Sequence, residues 1–223
     1  MCGRYSFTSP IEAVRQVFKL PALPATNLQP RYNIAPTQNA PVIRLNTDGE
    51  RELVMMRWGL IPFWAKEEKI GYRTINARAE TVASKPSFRA AFRQRRCLVP
   101  ATGFYEWQVQ GKGKLKQPYN IAMADGGPFG MAGLWERWEG PDGPVETYTI
   151  VVGEPNDLVR PIHNRMPIII GPEDHDSWLS GTADDANALL KPYKPEAMTA
   201  WPVSTVVNSP KNDKPECIEP LAA

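Results

Sequence analysis

Apolar residues recur along the chain in two periods, and each period predicts a different kind of element. The first occurs near the N-terminus, where helical spacing separates Ile11, Val14, Val17 and Phe18. This spacing predicts an amphipathic helix that runs to about Lys19. We expect Ser9 to be its N-cap, Pro10 to be its first helical residue and Glu12 to complete a capping box.

The second period is the alternation typical of strands. Val42–Leu45 and Leu53–Trp58, separated by Asp48-Gly49, predict a β-hairpin. Further strands are expected at Cys97–Val99, Phe104–Gln108, Tyr119–Ala122, Phe129–Trp135, Thr147–Val152 and Met166–Ile170. Strands therefore dominate the middle of the chain.

Helices and loops account for the rest of the pattern. Short helices are expected at Ala77–Ala83 and Ser87–Gln94, with one or two more between Pro172 and Leu190. The proline-rich stretch Leu20–Thr37 is expected to be a long ordered loop laid over the core. Because no repeat or change of composition marks a boundary, residues 1–223 are predicted to form one domain. The predicted fold class is α+β, with a mixed, mostly antiparallel, twisted sheet that curls toward a barrel and has peripheral helices.

Composition narrows the class of protein. The chain has 42% apolar residues, a formal net charge of +2 and no apolar run of about eighteen residues, which argues against disorder and a membrane helix. The 23 prolines, roughly twice ordinary usage, favour many turns. The three cysteines are widely spaced, and only His163 and His175 could add imidazole ligands, so neither a disulfide framework nor a zinc site is expected. Without a signal peptide, the expected location is the cytoplasm.

Cys2 carries the most distinctive chemistry. Removal of Met1 would leave a terminus that bears an α-amine and a thiol on adjacent carbons. An α-amine has a pKa near 8, so roughly a tenth of it is neutral at pH 7. Such an amine can capture a carbonyl as a Schiff base, and the thiol can then close a five-membered thiazolidine ring. The alternative is that Cys2 is only a small buried residue.

Three polar residues lie within apolar sequence and are candidates for proton transfer or positioning: Asn76, Glu106 and His163. A carboxylate among aromatic residues should have a raised pKa, and histidine titrates near neutrality. Taken singly, each could instead be a structural residue: a satisfied core histidine, or a glutamate on an exposed strand face.

Arginines and tryptophans flank the same segments. Arg4, Arg78 and Arg165 could follow phosphates, and Trp64 could stack on bases in a single-strand groove. Most surface arginines are only solvated charges, so a phosphate role depends on whether the fold brings these residues together.

Seven motifs occur in order between residues 1 and 204: Met1-Cys2-Gly3-Arg4, Arg31-Tyr32-Asn33-Ile34-Ala35-Pro36, Trp58-Gly59-Leu60-Ile61-Pro62, Ile75-Asn76-Ala77-Arg78-Ala79-Glu80-Thr81, Pro100-Ala101-Thr102-Gly103-Phe104-Tyr105-Glu106-Trp107, Ile162-His163-Asn164-Arg165-Met166-Pro167 and Val203-Ser204. Together they resemble the SRAP family of abasic-site processing proteins, also called SOS-response-associated peptidases. The resemblance implies binding of single-stranded DNA and capture of the abasic-site aldehyde as a covalent thiazolidine on the N-terminal cysteine.

The resemblance also implies a role for each matching residue. Cys2 would supply amine and thiol, Asn76 would position the reacting terminus, Glu106 would donate and accept the proton of sugar-ring opening and crosslink reversal, and His163 would assist the Schiff-base steps. The implied phosphate contacts are Arg4, Asn33, Arg78 and Arg165, and Trp64 would lie near the junction of single and double strands.

Other activities remain open at this stage. The family name implies a peptidase that removes Met1 from its own chain, and an imine at an abasic site could permit weak lyase activity. The alternatives are a thiol peptidase acting in trans and a non-covalent single-stranded DNA-binding module. The expected partner is single-stranded DNA with abasic sites or junctions, bound by a monomer in a basic groove that converges on residue 2. We expect no metal, organic cofactor or membrane, and association with the nucleoid when DNA is bound.

Overall fold

Two β-sheets form most of the structure. The computed structural model describes residues 2–22, 28–111 and 115–221. Its strands are β1 (Tyr5–Phe7), β2 (Arg31–Ile34), β3 (Asn39–Leu45), β4 (Arg51–Trp58), β5 (Asn76–Arg78), β6 (Arg96–Ala101), β7 (Gly103–Gln110), β8 (Leu115–Met123), β9 (Phe129–Gly140), β10 (Gly143–Gly153), β11 (Met166–Pro167), β12 (Ile169–Ile170) and β13 (Met198–Pro202). Its α-helices are α1 (Ile11–Phe18), α2 (Arg89–Gln94), α3 (His175–Ser180) and α4 (Ala183–Ala188).

The first sheet is antiparallel, with the strand order β13-β8-β7-β1-β2. The second contains β10, β4, β3, β6 and β9 as successive neighbours. Because β9 also pairs with β10 over eight residues, these five strands close into a barrel. The pairings of β10 with β4 and β5 are parallel and the other pairings of this sheet are antiparallel. The predicted α+β class and mixed barrel-like sheet are confirmed.

Most predicted elements are present; the strands extend beyond their predicted bounds, whereas α2 begins two residues later than predicted. The hairpin forms from β3 and β4, and the strands expected around residues 97, 104, 119, 129 and 147 correspond to β6 to β10. The helix expected at Ser87–Gln94 is α2, and two α-helices follow Pro172. These strands are mostly runs of buried residues, so a continuous apolar stretch bounded by turn residues indicated them as well as alternation did.

Four predictions about local structure are wrong. Ala77–Ala83 is not helical, because Asn76–Arg78 pairs with β10 and the following residues form turns. Met166–Ile170 is two short strands that pair with different neighbours, β10 and β9. The stretch Leu20–Thr37 contains β2, although its residues 23–27 lie outside the described residues. Tertiary pairing overrides local preference in each case.

The predicted cap of α1 is also wrong. Pro10 occupies the N-cap position and no side-chain cap is formed. The Ser9 hydroxyl instead lies 3.1 Å from the hydroxyl of Thr102, which ties the loop before α1 to the turn between β6 and β7. The helix ends as expected, since Lys19 has a left-handed φ of 50°.

The main hydrophobic core fills the barrel and the space between the sheets. Trp58 is fully buried and packs against Tyr5 and Tyr148, with ring centroids 5.3 and 6.2 Å away. Gly59 follows with a φ of +124°, and a side chain there would meet the Gly71 carbonyl oxygen at 2.7 Å. This close approach fixes the path of the loop that leads to β5. Among the described residues, no helix is long and apolar enough to cross a membrane.

Candidate active site

The N-terminal segment joins the two sheets at the candidate site. The backbone N–H of Tyr105 donates to the Arg4 carbonyl at 3.0 Å, which holds the segment along β7 of the first sheet. On the other side, Asn76 of β5 donates from Nδ2 to the Cys2 carbonyl at 2.7 Å. The Cys2 side chain is fully buried. Residue 2 is therefore held between β5 and β7, two strands that are far apart in sequence.

Glu106 is buried because of the alternation along β7. Phe104 and Glu106 share the face that turns toward the main core, while Tyr105 packs in a second apolar cluster with Val207 and Cys217. Only 2% of Glu106 is exposed. Burial raises the pKa of its carboxyl from 4.5 to about 8, so the group holds a proton at neutral pH.

His163 lies beside this carboxyl, with its Nδ1 atom 3.6 Å from Oε2 of Glu106. The backbone N–H of Arg165 donates to Nδ1 at 3.1 Å in one tautomer, and the Arg165 carbonyl oxygen, also 3.1 Å away, accepts from Nδ1 in the other. Partial burial lowers the pKa of His163. The site thus holds a neutral acid and a neutral base in contact at neutral pH.

The Cys2 thiol is also neutral in this environment. Burial raises its pKa well above the usual range, and the nearby Glu106 carboxyl adds to that effect. A thiol in this state is a weak nucleophile until its proton is removed.

A basic groove opens at Asn76. It has a volume of about 730 Å³ and contains three cationic side chains, Arg73, Arg78 and Lys85, together with the hydroxyls of Thr81 and Ser84. No acidic side chain from the described part of the chain lines it. Its charge and its position next to the Cys2 contact make it the surface best suited to a polyanion.

An aromatic cavity adjoins the basic groove through Arg73, which lines both. This second cavity, of about 690 Å³, is formed by residues 64–73 and includes Trp64, Ile70 and Tyr72. Trp64 is 49% exposed and Tyr72 is 62% exposed, unusually high values for large aromatic side chains. Exposed rings beside cations are the components of a single-strand binding surface.

Arg4 and Asn33 do not belong to this surface. Asn33 is fully buried, and its amide donates to the carbonyls of Val207, Ser209 and Asn212 at 3.1, 3.0 and 2.7 Å. Arg4 donates to Asn33 Oδ1 at 3.0 Å and to the carbonyls of Val207 and Asn208. Both side chains anchor the C-terminal segment and neither lines the basic groove, so their expected role as phosphate contacts stays a prediction.

Arg78 and Arg165 have different surroundings. Arg78 is exposed and lines the basic groove. The Arg165 guanidinium forms an ion pair with the carboxylate of Glu80, a residue in the turn that follows β5. The structure thus places one of these arginines in the groove and gives the other an internal counter-ion.

Sequence reasoning overlooked two residues of these cavities, Tyr72 and Lys85. Both lie outside the motifs that drew attention, in segments with no regular period. The spacing of Trp64 and Tyr72 gave no signal, because the short 3₁₀ helix Glu68–Arg73 brings them together. Among the described residues, no group of three or more His, Cys, Asp or Glu side chains could hold a metal ion, and all three cysteines are free and buried.

Comparison with known proteins identifies the class to which this site belongs. The family described as SOS response associated peptidase (SRAP) matches residues 1–210. The chain belongs to the SRAP family, as its motifs indicated.

Individual relatives are similar to this chain along most of its length. Abasic site processing protein YoqW of Bacillus subtilis is 44% identical, over 98% of this chain and 99% of the relative. Abasic site processing protein HMCES of Gallus gallus is 37% identical, over 86% of this chain and 67% of the relative. A crystal structure of a Bacteroides thetaiotaomicron protein superposes with a TM-score of 0.83 and 30% identity, over 99% and 100% of the two chains. The fold is therefore shared along nearly the whole chain.

Proposed function

We propose that this protein processes abasic sites in single-stranded DNA by covalent capture of the lesion on Cys2. The observation that carries the proposal is the position of Cys2, whose carbonyl is held by Asn76 at the edge of a basic groove. A protonated carboxyl and a neutral imidazole lie at the same place. The names of the relatives YoqW and HMCES support the choice of substrate.

The proposed reaction begins when removal of Met1 turns the Cys2 amide nitrogen into an amine. The ring-opened deoxyribose presents a C1′ aldehyde, and the amine adds to this carbon to give a carbinolamine. Loss of one water forms the imine, and addition of Sγ to the imine carbon closes the thiazolidine while the thiol proton moves to nitrogen. One water leaves in total, and no oxidant or reductant is needed.

The buried acid and base supply the proton transfers. Glu106 holds a proton at neutral pH, so it can give that proton to the sugar-ring oxygen during opening and recover one during reversal. His163 can accept the proton that leaves nitrogen, because burial keeps its imidazole neutral. Asn76 acts as a positioning residue by holding the carbonyl of the reacting terminus.

The DNA path follows the two cavities. Phosphates would lie on Arg73, Arg78 and Lys85 in the basic groove, and unpaired bases would stack on Trp64 and Tyr72 in the aromatic cavity. Arg73 belongs to both cavities, so a strand can pass from one to the other without losing contact. Trp64 is the candidate for contact with the terminal base pair where the single strand meets a flanking duplex.

The same groups bear on the peptidase and lyase activities. Attack on the Met1–Cys2 bond needs an acid, a base and a nucleophile, and Glu106 and His163 could serve as the acid and the base. Self-removal of Met1 is therefore a second candidate activity, and it would require that the proton of the Cys2 thiol is removed first. A thiol peptidase acting in trans is less well supported, because Cys2 is fully buried and its thiol pKa is raised. Closure of the thiazolidine would suppress lyase chemistry by removing the imine.

The test is a denaturing gel of the protein incubated with a labelled single strand that contains one abasic site. Cys2→Ser should lose the stable covalent band and keep non-covalent binding, because a serine cannot form the thiazolidine. Cys97→Ser is the matched control, since Cys97 is equally buried and is held in β6 of the barrel. A wild-type band from Cys2→Ser, or no band from wild type that lacks Met1, would contradict the proposal. Binding alone would favour the non-covalent module.

A further inference from the structure

The ion pair between Glu80 and Arg165 occupies a cation that the sequence motifs had indicated as a phosphate contact. Glu80 lies in the turn after β5 and Arg165 lies just before β11. The Glu80 carboxylate accepts from Nη1 of Arg165. Their side chains are 47% and 26% exposed, so an incoming strand can reach both.

The positive charge of Arg78 also acts on the Glu80 carboxylate. The hydrogen bond from Arg165 is the main cause that lowers the pKa of Glu80, and the positive charges of Arg165 and Arg78 lower it further. The group is therefore an anion at neutral pH, close to two arginines. Carboxylate and phosphate groups both present two oxygens that can accept hydrogen bonds from a guanidinium, so each can replace the other on an arginine. Glu80 thus holds a place that a backbone phosphate could take.

The backbone of Arg165 contacts His163, and this contact does not involve the charge of the Arg165 side chain. Its N–H donates to Nδ1 of His163 at 3.1 Å. The side chain and the backbone of Arg165 therefore act on different partners, and exchange of the counter-ion leaves the histidine contact in place.

We infer that Glu80 is an internal competitor of DNA phosphate at Arg165, and that it sets how weakly the protein binds undamaged single strands. This inference rests on the proposed function. A strand must displace Glu80 to reach Arg165, so ordinary DNA gains little from that cation and releases few counterions there. A lesion is held by its covalent bond instead, so the ion pair favours capture of abasic sites over occupation of undamaged DNA.

The test measures affinity for a lesion-free oligothymidine by fluorescence anisotropy across a series of salt concentrations, using the full chain. Glu80→Gln keeps the size and one acceptor but removes the charge. It should bind about threefold to tenfold more tightly, with a salt slope steeper by about 0.7, the value for one added phosphate contact on a single strand. Glu12→Gln is the matched control, because it removes the same charge from a pair with Arg15 on α1, outside both cavities.

A double-mutant cycle separates competition from a general change of charge. The gain from Glu80→Gln should vanish in an Arg165→Gln background, since no cation is left to free. A gain that persists there, an equal gain from Glu12→Gln, or weaker binding by Glu80→Gln would overturn the inference. If wild type binds single strands and Glu80→Gln brings no gain, only this inference fails. If folded wild type binds no single strand, the proposed function fails as well.

Discussion

Glu106 illustrates how one residue acquires its chemistry from its position. Its flanking aromatic residues in the sequence already indicated a buried carboxyl with a raised pKa, and the structure gives that group a pKa of about 8. The sequence could not indicate its partner, because His163 is far along the chain and reaches it only through the loop before β11. The residue type was predictable and the pairing was not.

Ionisation of Glu106 should make stability depend on pH. Burial raises its pKa from 4.5 to about 8, so between these values the folded protein holds a proton that the unfolded chain has lost. Stability from this group is therefore present below about pH 4.5 and falls as the pH rises toward 8. Glu106→Gln cannot ionise, so its stability relative to wild type should increase over this window by about 1.4 kcal/mol per pH unit. Urea unfolding at several pH values measures it, and a constant difference would refute it.

Strand elements were predicted with uneven success, for a physical reason. The long strands of the barrel contain extended runs of apolar residues, and they were predicted correctly from these runs. The strands β1, β2 and β5 have three or four residues and were missed, because so short a segment carries no period and is defined by its neighbours. Two of the missed strands carry candidate-site motifs. The sequence therefore indicated which residues belong to the site but not how the strands bring them together.

The C-terminal segment is held in place by β2. Asn33 is the central link, because its amide donates to three carbonyls of residues 207–212 and its oxygen accepts from Arg4. The backbone N–H of Asn33 also donates to Oδ1 of Asp213 at 3.1 Å. Asn33 therefore links β2 to the C-terminal segment, a structural use of a polar residue that its sequence motif alone did not reveal.

We expect Asn33→Ala to destabilise the protein by about 3 kcal/mol, because buried carbonyls lose their donors. Asn187→Ala is the matched control, since Asn187 is exposed on α4, and its effect should be below about 0.5 kcal/mol. Urea unfolding of both variants measures the difference. An Asn33→Ala protein of normal stability with weakened DNA binding would contradict this structural role and favour the phosphate contact expected from the sequence.

At the scale of the whole molecule, the site lies where the two sheets meet. The first sheet supplies Glu106 and the path of the N-terminal segment, and the second supplies Asn76 through the pairing of β5 with β10. The net charge of +2 gave no indication of a polyanion site, because the basic groove concentrates cations locally while the total stays near zero. The local clustering of cations depends on the fold, so the net charge of the sequence could not predict it.

The basic groove predicts a salt-dependent affinity. Arg78→Ala should weaken binding to single strands of any sequence and reduce the salt slope by about 0.7, because one phosphate contact is lost. Arg15→Ala is the control, since Arg15 is exposed on α1 and lines neither cavity. Anisotropy titrations at several salt concentrations measure both. An unchanged slope for Arg78→Ala would place the strand elsewhere on the protein.

The central claim, covalent capture at Cys2, is tested most directly by intact-mass measurement. Purified protein is weighed before and after incubation with a single strand that contains one abasic site. We expect a chain without Met1 that gains the mass of the oligonucleotide minus one water, with the adduct surviving denaturation and located at Cys2 after digestion. A chain that begins at Cys2 and gains no mass, or an adduct located at another residue, would contradict it.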